Sequence, residues 1–254
     1  MGKLHYLDPN PNGTPAVLLL HGLGADGSSW ALQFEQLISA GMRPIAPDSP
    51  GFGNSRYDGL GWNFPRVAAD LAALLDELNT GPVHVIGLSM GGVIAQQFAL
   101  NYPSRIRKLV LVSTFSVLRP ANISQWLYFA QRAVVVHIVG LATQSRIVAK
   151  RVFPGPEQNE LREMAEKQIS SADPRAYRAA MRQLGLVNLK PRLKEIKNPT
   201  LVISGADDST VSPALQKELT DCIAGARQVI IPGAGHAVAI DQFAAFNREL
   251  LQFL

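Results

Sequence analysis

Three kinds of side chain able to share a proton stand far apart in this chain. They are Ser89 within Gly87-Leu-Ser-Met-Gly91, two carboxylates at Asp207 and Asp208, and His236 after Pro232-Gly-Ala-Gly235. A serine hydroxyl is a poor nucleophile until an imidazole takes its proton. The imidazole in turn needs a carboxylate on its other nitrogen to select the tautomer and stabilise the imidazolium. A trio of this kind suits acyl transfer. Each member alone has a bland reading: a short Gly-x-Ser-x-Gly can be an ordinary turn, a loop histidine is often structural, and paired aspartates often face water. Spacing alone leaves Asp207 and Asp208 equally eligible.

Ser89 lies where a strand pattern meets a helix pattern. Val83 to Ile86 is an apolar β-rich run, and Met90, Val93, Ile94, Gln97 and Phe98 repeat at helical spacing. The turn between them must be very short, and glycines two residues either side of the serine remove the β-carbons that would clash there. The hydroxyl then projects from a strand C-terminus and a helix N-terminus, where the Met90 N–H and the helix dipole face any oxyanion formed beside it. A second donor is available after the apolar run Ala16 to Leu20. His21-Gly22 turns at that strand's end and can aim the Leu23 N–H at the same point.

The same loop also contains Gly22-x-Gly24-x-x-Gly27, with Asp48 ending the next strand, which is the spelling of a dinucleotide fingerprint. In such a fingerprint the helix begins among the glycines and holds the pyrophosphate. Here Asp26-Gly27-Ser28 is turn chemistry, and Ser28 or Ser29 is expected to cap a helix that starts too late. A nicotinamide oxidoreductase is thus a weaker reading.

The remaining pattern supplies the frame. Lys3 to Leu7 is a short edge strand, and Arg43 to Ala46, Ile106 to Val112, Thr200 to Ser204 and Gln228 to Ile231 read as buried strands. Helices are expected at Ala31–Ala40, Phe64–Leu78, after Pro213, and over Ala239–Leu254, giving an alternating, doubly wound, mostly parallel α/β sheet. Between Phe115 and Lys190 the alternation stops. Helices are predicted over Ile123–Val139, Thr143–Val152, Glu157–Ile169 and Pro174–Leu184, with no strand among them. An excursion leaving a strand's C-terminal end lands over the face where such sheets bind ligands, so 115–190 is expected to be a helical lid on a core of 1–114 and 191–254. Trp126, Phe129, Val135, Ile138 and Leu141 are its candidate pocket-lining residues, although apolar residues at this spacing commonly just hold helices together.

The chain has 254 residues, 27.5 kDa, and 24 basic against 20 acidic residues, net +4, too mild an excess to indicate nucleic acid. The stretch 115–190 holds 11 Lys/Arg and 5 Asp/Glu, a local net of +6 that reads as a solvated surface or as attraction for an anionic substrate or carrier. A single cysteine, Cys222, rules out an internal disulfide. Met1-Gly-Lys precedes no signal-peptide core, Met1–Tyr6 lacks the Ser/Thr of a myristoylation signal, and Ala133–Ala142 is too short to span a bilayer. Cytoplasmic location is the default expectation, with no metal or organic cofactor and no membrane span.

In combination, His21-Gly22, Pro47-Asp48-x-x-Gly51-x-Gly53-x-Ser55, Gly87-Leu-Ser-Met-Gly-Gly92, Gly205-x-x-Asp208 and Gly235-His236 resemble the α/β-hydrolase superfamily over essentially the whole length, and specifically its cap-bearing serine esterases and lactonases. The order Ser, Asp, His is that family's order. The resemblance implies a lid inserted after the sixth strand of the fold. It selects Asp208, three residues after the loop glycine, over Asp207. Relatives with an aspartate at the corner, the dehalogenases and epoxide hydrolases, are disfavoured by Ser89, and no acid follows Val110-Leu-Val112 at the alternative acid position. The implied catalytic set is Ser89, Asp208 and His236, with Leu23 and Met90 N–H groups as oxyanion hole and Trp126, Phe129 and Val211 near the substrate. The implied function is hydrolysis of short- to medium-chain carboxylic esters by a monomer or homodimer. Enol-lactones and acyl-carrier or CoA-linked esters are alternatives, and so is a ligand-binding receptor on the same fold with little turnover.

Overall fold

The continuous apolar runs of the sequence become the interior strands of one sheet. In the computed structural model, which describes residues 3–118 and 123–254 with only the backbone at Gln125, the first half of the chain runs β1 (Tyr6–Leu7), β2 (Ala16–Leu20), α1 (Ala31–Ser39), β3 (Arg43–Pro47), α2 (Phe64–Glu77), β4 (Val83–Leu88), α3 (Met90–Asn101) and β5 (Ile106–Val112). Four helices follow, α4 (Ile123–Val134), α5 (Leu141–Val152), α6 (Asn159–Ser171) and α7 (Pro174–Leu186). The sheet then resumes with β6 (Thr200–Gly205), α8 (Pro213–Asp221), β7 (Arg227–Ile231), α9 (Val238–Asp241) and α10 (Phe243–Phe253). Met1 and Gly2, on which the leader and myristoylation readings fall, lie outside the described residues. Among the described residues no helix is long and apolar enough to cross a membrane.

The seven strands are ordered β1-β3-β2-β4-β5-β6-β7, with β1 antiparallel to β3 and all other neighbours parallel. Because β2 and β4 are both buried on two faces, their residues alternate between two cores rather than between core and solvent. Val17 and Leu19 pack with Trp30, Leu37, Phe246 and Leu250 on one side of the sheet. Leu18 and Leu20 pack with Leu71, Leu75, Val93 and Phe98 on the other. The winding reverses between β2 and β4, the place where loops leaving neighbouring strands part and open a crevice.

The helical segment leaves β5, the fifth strand counted along this chain, and the sheet resumes with β6. Three local expectations change. The helix predicted over Ile123–Val139 turns α-helical only to Val134 and finishes as a π-helical turn, Val135–Val139, ended by Gly140 at φ 110°. The predicted closing helix breaks at Gln242, whose φ of −128° and ψ of 44° separate α9 from α10. Val117 and Asn188, at the two roots of the helical segment, pair as an isolated antiparallel bridge where no strand pairing was expected.

Candidate active site

Ser89 sits at the β4–α3 corner with φ 55° and ψ −112°, a left-handed backbone that a side-chain-bearing residue adopts only where its surroundings impose it. The imposition is visible in the bonds. The Ser89 N–H donates to the Val112 carbonyl of β5 at 2.9 Å, and its carbonyl accepts from Thr114 Oγ1 at 2.7 Å and from the Gly92 and Val93 N–H groups at 3.0 and 3.2 Å. Both flanking glycines are required by close approach. A β-carbon at Gly87 would overlap the Gly91 carbonyl, and one at Gly91 would overlap the Leu20 carbonyl of β2.

His236 and Asp208 arrive from the β7–α9 and β6–α8 loops. His236 Nε2 lies 3.0 Å from Ser89 Oγ, and His236 Nδ1 lies 2.9 Å from Asp208 Oδ2. With its Nδ1–H donated to the carboxylate, the imidazole offers Nε2 to accept the serine proton. The Asp208 side chain is fully shielded from solvent, and its Oδ1 accepts the Thr210 and Val211 N–H groups, each at 2.9 Å. These bonds leave the carboxylate one free direction, toward His236. Asp207 is exposed, so the choice between the two carboxylates that spacing left open falls on Asp208 by burial as well as by bonding.

Behind His236 stands a second carboxylate that the sequence reading missed. Asp241 Oδ2 accepts the Gly235 N–H at 2.7 Å and pins the loop that carries the imidazole. Burial, reinforced by the nearby Asp208 charge, pushes the Asp241 carboxyl above its ordinary range, against the N–H bonds that lower it. Its only sequence signal is an acid five residues past Gly-His.

The Leu23 and Met90 N–H groups donate to no turn, loop or cap carbonyl among the described residues. A β-carbon on Gly22 would come within 3.6 Å of Ser89 Cβ, so the His21-Gly22 turn does lie against the serine corner. His21 shapes that turn. Its Nδ1–H donates to the Gly22 carbonyl at 2.8 Å while Nε2 accepts the Ser49 N–H at 2.9 Å, and burial holds its pKa below the usual histidine value, keeping it neutral.

The dinucleotide spelling is used internally instead. Asp48 accepts from the Gly27 and Asn54 N–H groups and faces His5 Nδ1, and at Gly24 (φ 85°) a β-carbon would strike Ile169 of α6. Asp26, not a serine, caps the short 3-10 turn Gly27–Trp30 by accepting the Ser28 N–H. Ser28 misses the role because Gly27 already belongs to the turn. Among the described residues no three His, Cys, Asp or Glu side chains cluster as metal ligands.

A cavity of about 460 Å³ opens above Ser89, of the size that small-molecule sites usually have. Ser89, His236, Leu23, Phe129 and Val211 all line it, as does helix α6 through Ile169. Trp126 does not. It is 60 % exposed, and Ile138 is 78 % exposed. The inward arc of α4 runs through Tyr128, Phe129, Arg132 and Ala133, and at about 100° per residue Trp126 points roughly a quarter-turn away from its centre. Leu141 is buried among core residues and Val135 is absent from the wall. In their place the wall contains Tyr128, Arg132 and His137. A charged residue in an amphipathic helix reads as surface, which is why Arg132 escaped notice.

A family profile described as the alpha/beta hydrolase fold matches residues 15–243, and the chain belongs to that family. Over nearly their full lengths it is 31% identical, across 261 residues, to a Variovorax paradoxus (strain S110) protein provisionally named a carbamate hydrolase, RutD, covering 99% of this chain and 96% of that one. It is 28% identical across 271 residues to the 2-hydroxy-6-oxononadienedioate/2-hydroxy-6-oxononatrienedioate hydrolase of Escherichia coli O139:H28 (strain E24377A / ETEC), covering 99% and 91%. Among solved structures, the enol-lactonase from Burkholderia xenovorans LB400 superposes with a TM-score of 0.89 at 28% identity, covering 98% of this chain and 95% of that one. Hydrolysis is the chemistry these names share.

Proposed function

We propose that the protein is a serine hydrolase of carboxylic esters working through an acyl-enzyme on Ser89. The observation that carries the reading is the continuous Ser89–His236–Asp208 hydrogen-bond chain, at 3.0 and 2.9 Å, opening into the cavity. His236 takes the serine proton as Oγ attacks the acyl carbon, and Asp208 stabilises the imidazolium. The tetrahedral oxyanion is held by the Leu23 and Met90 N–H groups, each donor contributing about 3 kcal/mol to the transition state. His236 then protonates the leaving alcohol, and water repeats the cycle to release the acid. Residues 115–190 serve as the cap that keeps bulk water from the acyl-enzyme.

The same steps open a lactone, and likeness to the Burkholderia enol-lactonase supports that as a second reading. Turnover separates both from a receptor. Purified protein is offered p-nitrophenyl esters of rising chain length and a set of lactones, and a sulfonyl fluoride is used to label the nucleophile. Multiple turnovers, loss of activity in Ser89→Ala and a label mapped to Ser89 are expected. Full activity in Ser89→Ala sinks the proposal, and binding without turnover returns the receptor reading.

A further inference from the structure

The wall of the Ser89 cavity is unbalanced in charge. It carries Arg132 and Arg182 and, among the described residues, no Asp or Glu. Arg182 is exposed, so water screens it, but Arg132 is partly buried. Its Nε is wholly shielded from solvent and has no hydrogen-bond partner among the described residues, and its Nη2 donates to the Tyr177 hydroxyl at 3.1 Å. Tyr177 is fully buried and braced by Phe52, and its hydroxyl lies 3.5 Å from Gln144 Nε2, so the arginine is held by a rigid partner.

The guanidinium also lies over the Tyr128 ring, 5.5 Å from its centre, and Arg151 stacks on the same ring at 4.4 Å while donating to the Ser209 carbonyl next to Asp208. Among the described residues neither arginine forms an ion pair with a carboxylate. Among the described residues this partly desolvated cation meets tyrosine hydroxyls and a ring face but no carboxylate, less than the compensation that burial of a charge demands. Its planar, forked guanidinium matches a carboxylate, and Arg132 lines a cavity whose wall is mostly apolar.

We infer that Arg132 receives a carboxylate carried by the substrate, so that the ester cleaved at Ser89 belongs to a molecule with a free acid at its far end, such as the half-ester of an aliphatic dicarboxylic acid. Tyr177 is a positioning residue for that arginine. The inference rests on the serine-hydrolase reading of the same site.

The test compares monoethyl adipate with its neutral isostere ethyl adipamate, following the released acid by chromatography. Wild type is expected to favour the carboxylate by at least about tenfold in kcat/KM, mostly through KM, and Arg132→Gln to reduce that ratio by about 10- to 100-fold, as losing one charge-assisted pair does. The ratio is internal to each protein, so a poorly folded variant lowers both rates without changing it. Arg132→Lys is expected to keep part of the preference. A wild-type ratio at or below one, or an unchanged ratio in Arg132→Gln, overturns the inference.

If wild type cleaves neither ester, the hydrolase reading fails separately. The anchor is then judged by calorimetric binding of adipate against adipamide. Binding of adipate alone sustains it, and equal or absent binding removes it. The same calorimetry on wild type decides the matter if the variants do not fold.

Discussion

Replacing Asp208 by asparagine changes one atom and reverses the logic of the proton chain. Asp208 Oδ1 accepts two N–H groups, from Thr210 and Val211, and Oδ2 faces His236 Nδ1. An asparagine must keep its carbonyl oxygen toward those two donors, because turning its NH2 that way opposes donor to donor. The NH2 therefore points at His236 Nδ1 and makes that nitrogen the acceptor. The ring proton moves to Nε2, which then cannot take the proton of Ser89 Oγ 3.0 Å away. The wrong tautomer in a serine protease triad costs about 10⁴ in kcat, roughly 5 kcal/mol, and the same figure is expected here with KM little altered. Initial rates on p-nitrophenyl butyrate, with burst amplitude to count active sites, measure it. A kcat within tenfold of wild type would falsify the assigned roles of both His236 and Asp208.

Other outcomes follow from the same geometry. Gly91→Ala drives a β-carbon into the Leu20 carbonyl, so loss of soluble folded protein or at least ~3 kcal/mol in urea unfolding is expected, whereas Gly81→Ala, which meets nothing within 4 Å, should change stability by less than about 1 kcal/mol. Phe129→Ala enlarges the cavity and should shift chain-length preference toward longer acyl groups, while Trp126→Ala should leave the ester profile within about threefold; a large change in the latter would place Trp126 at the substrate after all. Burial first, then the charges of Arg107 and Lys108, hold His84 at about 4 against an ordinary 6.5. The unfolded chain binds that proton first as pH falls, so stability should drop between pH 6.5 and about 4, by up to ~3 kcal/mol, and level off below. Neutral, buried His21 acts in the same direction, so His84→Leu should flatten the slope of urea midpoints only in part; an unaltered slope assigns the effect elsewhere.

Much of the frame was legible before any coordinates because its signals are local. Ala16–Leu20 and Ile106–Val112 are strands to the residue, since an uninterrupted apolar run between breakers has few other uses. The serine corner was legible for a steric reason, as only glycines tolerate that approach of strand, helix and neighbouring strand. Helix ends were less so. The stop at Val134 and the break at Gln242 depend on what packs around them, and apolar periodicity continues unchanged across both. Within the helical segment, periodicity identified an apolar stripe but not which side of it met the cavity, so Phe129 and Trp126 looked alike while one lines the wall and the other faces solvent.

By itself the sequence determined the groups available: a serine hydroxyl on a glycine corner, an imidazole and a carboxylate, each at the end of its own strand in a parallel sheet. The tertiary structure alone decided which carboxylate is buried, that the Gly22 turn lies against Ser89, and that Arg132 lines the cavity with no ion-pair partner among the described residues. The physical reason is range. Steric and propensity rules act over a few residues, whereas burial, dielectric and the pairing of charges depend on chain segments 28 to 147 residues apart, as in the His236 bonds to Asp208 and Ser89.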